Sequence, residues 1–203
     1  MMIGDKEGSP SMDALRRLMP PHEGAGEVVD WPRVERAWGL RFPTDFKEFA
    51  AVYGAGSMDS HLSLMVPEIS AEGRPYGEME EETLLAQDEW DDDAVAKPEG
   101  VTAGAESLLT WGVSAGADLL CWLAQDENPD LWPVVVRIHS KDEWVLYPCG
   151  MAEFLRRLIV DDFDDYPLSL ELNSGHASPR FLTHAEQRRI RESGRNPWEG
   201  IID

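Results

Sequence analysis

Three stretches of this chain place reactive side chains at suggestive spacing. Gly112-Val113-Ser114-Ala115-Gly116 has the form G-x-S-x-G. In an esterase or peptidase that pattern sets a serine nucleophile on a strained turn between a strand and a helix. Aspartates lie downstream, as do His139, His176 and His184, so the order Ser, Asp, His is available. Asp126-x-Asn128-x-Asp130 begins like a calcium loop. Such a loop needs Gly at its sixth position and Glu at its twelfth, and here these are Leu131 and Arg137. This is therefore a turn. The third stretch is acidic: Glu80-Glu81-Glu82 and Asp88-Glu89-Trp90-Asp91-Asp92-Asp93, with a later run Asp161, Asp162, Asp164 and Asp165 around Phe163. Runs of like charge are solvated segments, metal sites or docking surfaces for cationic partners.

The remaining chemistry is sparse. The five histidines, His22, His61, His139, His176 and His184, show no metal-ligand spacing such as H-E-x-x-H. There is no Walker loop and no G-x-G-x-x-G. Cys121 and Cys149 form no CxxC pair, so reduced thiols are expected and Cys121 reads as a small core residue. No metal, no cofactor and no catalytic residue is expected.

The elements that must position these residues follow from periodicity. The polar first ten residues read as frayed, and Ser11 to Leu18 as a short helix capped by Ser11 and stopped by Pro20-Pro21. Asp30 caps a second helix, Pro32 sits in its first turn and Gly39 ends it. Pro43 opens a third, with Phe46, Phe49, Ala50 and Tyr53 on one stripe. His61 to Val66 reads as a strand. From Glu68 to Gly100 there are 12 acidic residues against Arg74 and Lys97. Glu78 to Gln87 is helical there, with Met79, Thr83 and Leu84 on its inner face, and Asp91 to Asp93 are exposed loop. Four strand signals follow, at Leu108–Val113, Leu119–Ala124, Val134–His139 and Glu143–Tyr147, joined by short turns. Met151 to Val160 is an amphipathic helix, and Thr183 to Ser193 another, capped by Thr183 with Glu186 three residues on.

Short connections between successive strands imply antiparallel neighbours. The fold class is α+β, an antiparallel β-sheet covered on one face by helices. That meander weighs against a hydrolase at Ser114, whose elbow needs a parallel sheet and a following helix; a small-residue hairpin turn is the alternative. Trp38, Trp111, Trp122, Trp132 and Trp144 are expected in the core.

Composition narrows the function classes. In 203 residues, 39 are Asp or Glu and 18 are Lys or Arg, for a formal charge of -21. Such a surface repels phosphate backbones, so no direct nucleic-acid partner is expected. No apolar run is long enough to span a bilayer, and the start has no signal-peptide pattern, so the expectation is a cytoplasmic protein with no membrane partner. Arg180, Arg188, Arg189, Arg191 and Arg195 make the tail the Arg-rich part of an acidic chain, and docking onto its own acidic surface is expected of it.

Several of these residues together carry a resemblance. Trp31-x-x-Val34-Glu35, Gly39-Leu40-x-Phe42-Pro43-x-Asp45-Phe46-Lys47-x-Phe49 and Tyr53-Gly54-x-Gly56 occur in order. They are followed by Asp118-x-x-Cys121-Trp122, Trp132-Pro133-Val134-Val135-Val136, Trp144 and Gly150-x-x-x-Phe154-Leu155. The set resembles the SUKH superfamily. The resemblance covers roughly residues 27 to 160, with Ala117 where the family often has Gly. It sets a SUKH-like domain at 27–160, an acidic insertion at 68–100, an N-terminal segment at 1–26 and a C-terminal extension at 161–203. It implies an α+β fold without catalytic residues. Many bacterial members are immunity proteins that neutralise a toxin, often a nuclease; others are regulatory or scaffold proteins. The expected partner is a basic toxin domain. The expected contacts are Glu80, Glu81, Glu82, Asp91, Asp92 and Asp93, with Asp161, Asp162, Asp164 and Asp165 as a second patch.

Overall fold

Strands β5 (Leu108–Ser114), β6 (Leu119–Leu123) and β7 (Val134–Ile138) are buried at nearly every position. Side chains of a strand alternate between the two faces of a sheet, so strands apolar throughout need cover on both. A computed structural model, which describes residues 9–171 and 178–199, shows that cover. Residues 1–8 and His176, which the sequence reading touched, lie outside the described residues.

On one face Leu120, Trp122, Val134, Val136 and Ile138 meet three helices: α1 (Pro10–Leu18), α3 (Thr44–Val52) and α5 (Met151–Ile159). Met12, Leu15, Phe46, Phe49, Phe154 and Leu155 fill the space between. The opposite face carries Leu119, Cys121, Leu123, Val135 and Trp144, closed by Ala86 and Trp90 of helix α4 (Glu78–Asp91). The one-sided cover expected from sequence is thus corrected. Both registers of β6 are apolar, and α4 fills the second side.

Strands β1 (Gly56–Met58), β2 (Leu62–Leu64), β8 (Glu143–Tyr147) and β9 (Phe181–Thr183) complete a seven-stranded sheet in the order β8-β7-β6-β5-β2-β1-β9. Every pairing between these strands is antiparallel. Two strands of this sheet escaped the sequence reading. β1 forms a hairpin with β2 through Asp59 and Ser60, at φ 48° and 62°, the left-handed geometry of a tight hairpin turn. β9 comes from the tail and pairs with β1. Gly56 allows that approach, because a Cβ there would stand 2.3 Å from the Leu182 carbonyl oxygen. A small hairpin of β3 (Glu68–Ile69) and β4 (Pro75–Tyr76) leads into α4.

Helix ends mostly follow the expected capping. The Asp30 carboxylate accepts from the Arg33 N–H at the start of α2 (Trp31–Trp38), and Gly39 ends it at φ 70°. Thr183 accepts from Glu186 N–H at the start of α6 (His184–Glu192). Ser11 is corrected: Ser9 takes the cap position of α1, and the Ser11 hydroxyl donates across to Glu153 at 2.8 Å. The tail arginines are corrected too. Arg189 pairs with Glu186, Arg191 donates to Gln187 and Arg180 to the Pro197 carbonyl, all within the tail. The tail docks through β9, which pairs with β1, and through Phe181 in the main core, while Leu182, Ile190 and Trp198 pack with one another inside it. Trp111, Trp122, Trp132 and Trp144 are buried as expected; Trp38 is half-buried and donates to the Glu68 carbonyl at 3.1 Å.

Candidate protein-binding site

Helix α4 is held by one side and free on the other. Its inner stripe is Met79, Thr83, Ala86 and Trp90, spaced by four, three and four residues. The Thr83 hydroxyl accepts from Thr110 N–H at 3.0 Å, and the Thr110 hydroxyl donates to the Glu82 carbonyl at 3.1 Å. Trp90 donates its indole N–H to the Ala103 carbonyl at 3.1 Å and meets Trp144 at 5.1 Å. These contacts extend the helix one turn past the expected end at Gln87. Asp91 is therefore the last helical residue, not loop, and Asp92 is the extended C-cap.

The outer stripe is Glu78, Glu81, Leu85, Asp88 and Asp92, with Leu84 beside it, and all six are exposed. Leu84, placed inward from sequence, is 53% exposed and Leu85 is 47% exposed. The seven carboxylates of this helix face no basic residue within it. Acidic residues at the N-terminal turn suit the positive end of the helix dipole. Those in the last turn, Asp88, Glu89 and Asp91, sit at the negative end and are unfavourable there, as are Asp92 and Asp93 beyond it. Among the described residues, the ion pair that α4 makes is Glu89 with Arg137, at 2.8 Å. Burial and the neighbouring charges of Glu78 and Glu81 hold the Glu82 carboxyl above its usual range.

Of the residues expected to bind, Glu81, Asp91, Asp92 and Asp93 are exposed, and Glu80 and Glu82 are half-buried. The second patch is elsewhere. Asp161, Asp162, Asp164 and Asp165 are exposed, but they follow α5 on the opposite face of the sheet. Phe163 anchors that segment against Tyr147 and Phe154, at 5.3 and 5.2 Å. Asp162 is already engaged by Arg156 at 3.2 Å. The two patches are therefore separate surfaces. Sequence reasoning missed Leu84 and Leu85 as exposed neighbours of the acidic runs. The signal was Trp90, which fixes the helix register at Met79, Thr83 and Ala86.

Ser114 ends β5 in a hairpin, and a strand, β6, follows it. Its hydroxyl donates to Asp118 at 2.5 Å and accepts from the N–H groups of Gly116 and Asp118. Asp118 is fully buried and also accepts from His139 N–H, Ser169 N–H and the Ser169 hydroxyl. The serine is part of a structural clamp, and the histidine beside it contributes a backbone N–H. Asp126 and Asn128 accept from main-chain N–H groups of their own turn, and Asp130 caps Thr44. Among the described residues no group of three or more His, Cys, Asp or Glu side chains is placed to hold a metal. None of their helices is long and apolar enough to cross a membrane.

A family model, SUKH_6, described as SMI1-KNR4 cell-wall, matches residues 30–155. The chain belongs to the SUKH superfamily. No curated protein and no solved structure matches it. The SUKH match starts at the cap of α2 and ends within α5, so it includes α4 and the whole of its acidic stretch. Helices α1 and α6 and strand β9 lie outside the match. Met12 and Leu15 of α1 and Phe181 of β9 nevertheless share the main core cluster.

Proposed function

We propose that this SUKH protein is a non-catalytic protein-binding module that neutralises a basic toxin domain, of the nuclease type, in the cytoplasm. On this reading residues 27–160 form the binding body, and the segments 1–26 and 161–203 flank it. The observation that carries the reading is the outer face of α4, a row of carboxylates that, among the described residues, makes no ion pair, on a helix pinned by its inner side. A nuclease cleft is basic because it must hold phosphates. An acidic helix seated there would exclude the nucleic acid. Long-range attraction raises the association rate, and the buried contacts set the residence time. A regulatory or scaffold role is equally compatible with SUKH membership, and toxin rescue separates the two.

The test is growth rescue. A basic toxin domain encoded beside this gene is expressed with the wild-type chain or with a variant neutralised at Glu80, Glu81, Glu82, Asp91, Asp92 and Asp93. Wild type should restore growth and the variant should not. Failure of the wild-type chain to restore growth or to bind the toxin domain would move the assignment to regulation or scaffolding.

A further inference from the structure

Beside the N-terminal end of α4 lies an open cleft of about 330 Å³. Met65 and Val66 give it an apolar floor, and Tyr76 a wall. Glu68, Glu78 and Glu81 supply its carboxylates. That combination suits a long cationic side chain, whose methylene stem needs apolar surface and whose head needs acid. Glu81 also belongs to the outer stripe of α4, so the cleft continues into Leu84 and Leu85 along the helix. The stripe is about 20 Å long at 1.5 Å per helical residue.

We propose that the cleft and the outer face of α4 together dock a cationic protein segment with apolar residues between its charges. One arginine or lysine enters the cleft. Apolar residues of the segment cover Leu84 and Leu85, and further cations meet Asp88, Asp91 and Asp92. A second copy of this chain does not fit, because Glu81 and Asp88 flank the leucines and like charges would face one another across a two-fold. The C-terminal turn of α4 supplies an independent reason for a cationic occupant. Glu89 there is paired with Arg137, but Asp88 and Asp91 are unfavourable by the helix dipole, and a docked cation would relieve them. This inference rests on the protein-binding reading above.

The experiment uses the whole chain, labelled with ¹⁵N. It is titrated with a short peptide alternating arginine and leucine, and with a control in which serine replaces leucine. Amide shifts should concentrate in residues 65–92, and the arginine–leucine peptide should bind about tenfold more tightly than the control, since 1.4 kcal/mol is tenfold. The double variant Leu84→Ser, Leu85→Ser should remove that advantage, and Glu81→Gln should weaken both peptides. Raising salt from about 50 to about 300 mM should weaken both peptides by a similar factor and leave the ratio between them unchanged, because screening acts on the charges they share. Shifts spread over the 161–165 segment, or equal affinity for the two peptides, would overturn the proposal. A dimer of the free chain that the double variant abolishes would assign the face to a second copy and overturn it too. Growth rescue that survives the double variant would reject this face and leave neutralisation standing. Peptide docking as described, with no rescue, would reject neutralisation and leave the face standing.

Discussion

Asp118 should be among the most costly single side chains to remove from the strand block. It is fully buried, and its oxygens accept from the Ser114 hydroxyl, His139 N–H, Ser169 N–H and the Ser169 hydroxyl. In Asp118→Ala the two hydroxyls can turn to other acceptors, but the two N–H groups cannot. A hydrogen bond to a charged group nets about 1.5–3 kcal/mol, so losing two of them costs about 3–6 kcal/mol. Folded domains have about 5–15 kcal/mol in hand, so the variant should fold with a large part of its margin gone. Asp118→Asn keeps one acceptor oxygen and turns an NH₂ toward a donor, so about half the loss is expected. Urea unfolding followed by tryptophan fluorescence reads the change. With a slope of about 2 kcal/mol per molar, the midpoint should fall by about 1.5–3 M in the alanine variant. In a double-mutant cycle, Ser114→Ala should cost less once Asp118 is gone, by about 1 kcal/mol, as expected for directly bonded partners. An alanine variant within about 1 kcal/mol of wild type would refute the clamp, since one lost hydrogen bond to a charge already exceeds that.

Three further outcomes follow from the same contacts. Asp91→Lys exchanges an unfavourable charge for a favourable one in the last turn of α4, so it should stabilise the free chain by about 0.5–1 kcal/mol, and a lower melting temperature would contradict the dipole argument. Asp45 sits among the N-termini of α1, α3 and α5 and accepts from Ala152 N–H at 3.0 Å. Burial, together with the charges of Asp130 and Glu48, raises its pKa above 3.8. The folded state therefore holds that proton more tightly than the unfolded chain, and this stabilisation is lost as pH rises through the folded pKa. Asp45→Asn should consequently gain stability relative to wild type from pH 4 towards neutrality, and a gap that does not change with pH would contradict the assignment. Trp90→Ala should cost about 3–5 kcal/mol by opening the space between α4 and Trp144, whereas Leu85→Ser should stay within about 0.5 kcal/mol. Similar losses for the two in urea would mean that the inner and outer faces of α4 are misassigned.

How far the sequence reveals this depends on whether the signal is local. The caps at Asp30, Gly39 and Thr183 are legible because the capping residue and the group it satisfies lie within a few positions. β5 to β8 are legible from aromatic and β-branched runs between explicit turns. β9 is three residues long, and its partner lies more than a hundred residues away, so nothing local marks it. The second covered face was written in Leu119 and Cys121 alternating with Leu120 and Trp122, but it became decisive only with Trp90 placed inward. That placement turns Leu84 outward. The candidate site was half legible: the carboxylates announce themselves by type, whereas the apolar residues between them depend on helix phase.

Charge in this chain is segregated, and the segregation is the stronger argument for docking over plain solubility. A surface that only needs to stay dissolved does so best with signs interspersed. Here Arg137, 4% exposed at its side chain, holds Glu89 and Asp142 beneath the C-terminal end of α4, so internal neutralisation is available and is applied there. The tail holds further arginines, yet Arg189, Arg191 and Arg195 bond within the tail itself. The outer row of α4 is left with no cation in the helix and with Asp88, Asp91 and Asp92 at the end of the helix that disfavours them. A row that costs stability in the free protein, on a helix whose inner face fixes its position, has the two properties a cationic partner would exploit: charge without a counter-ion among the described residues and little left to order on binding.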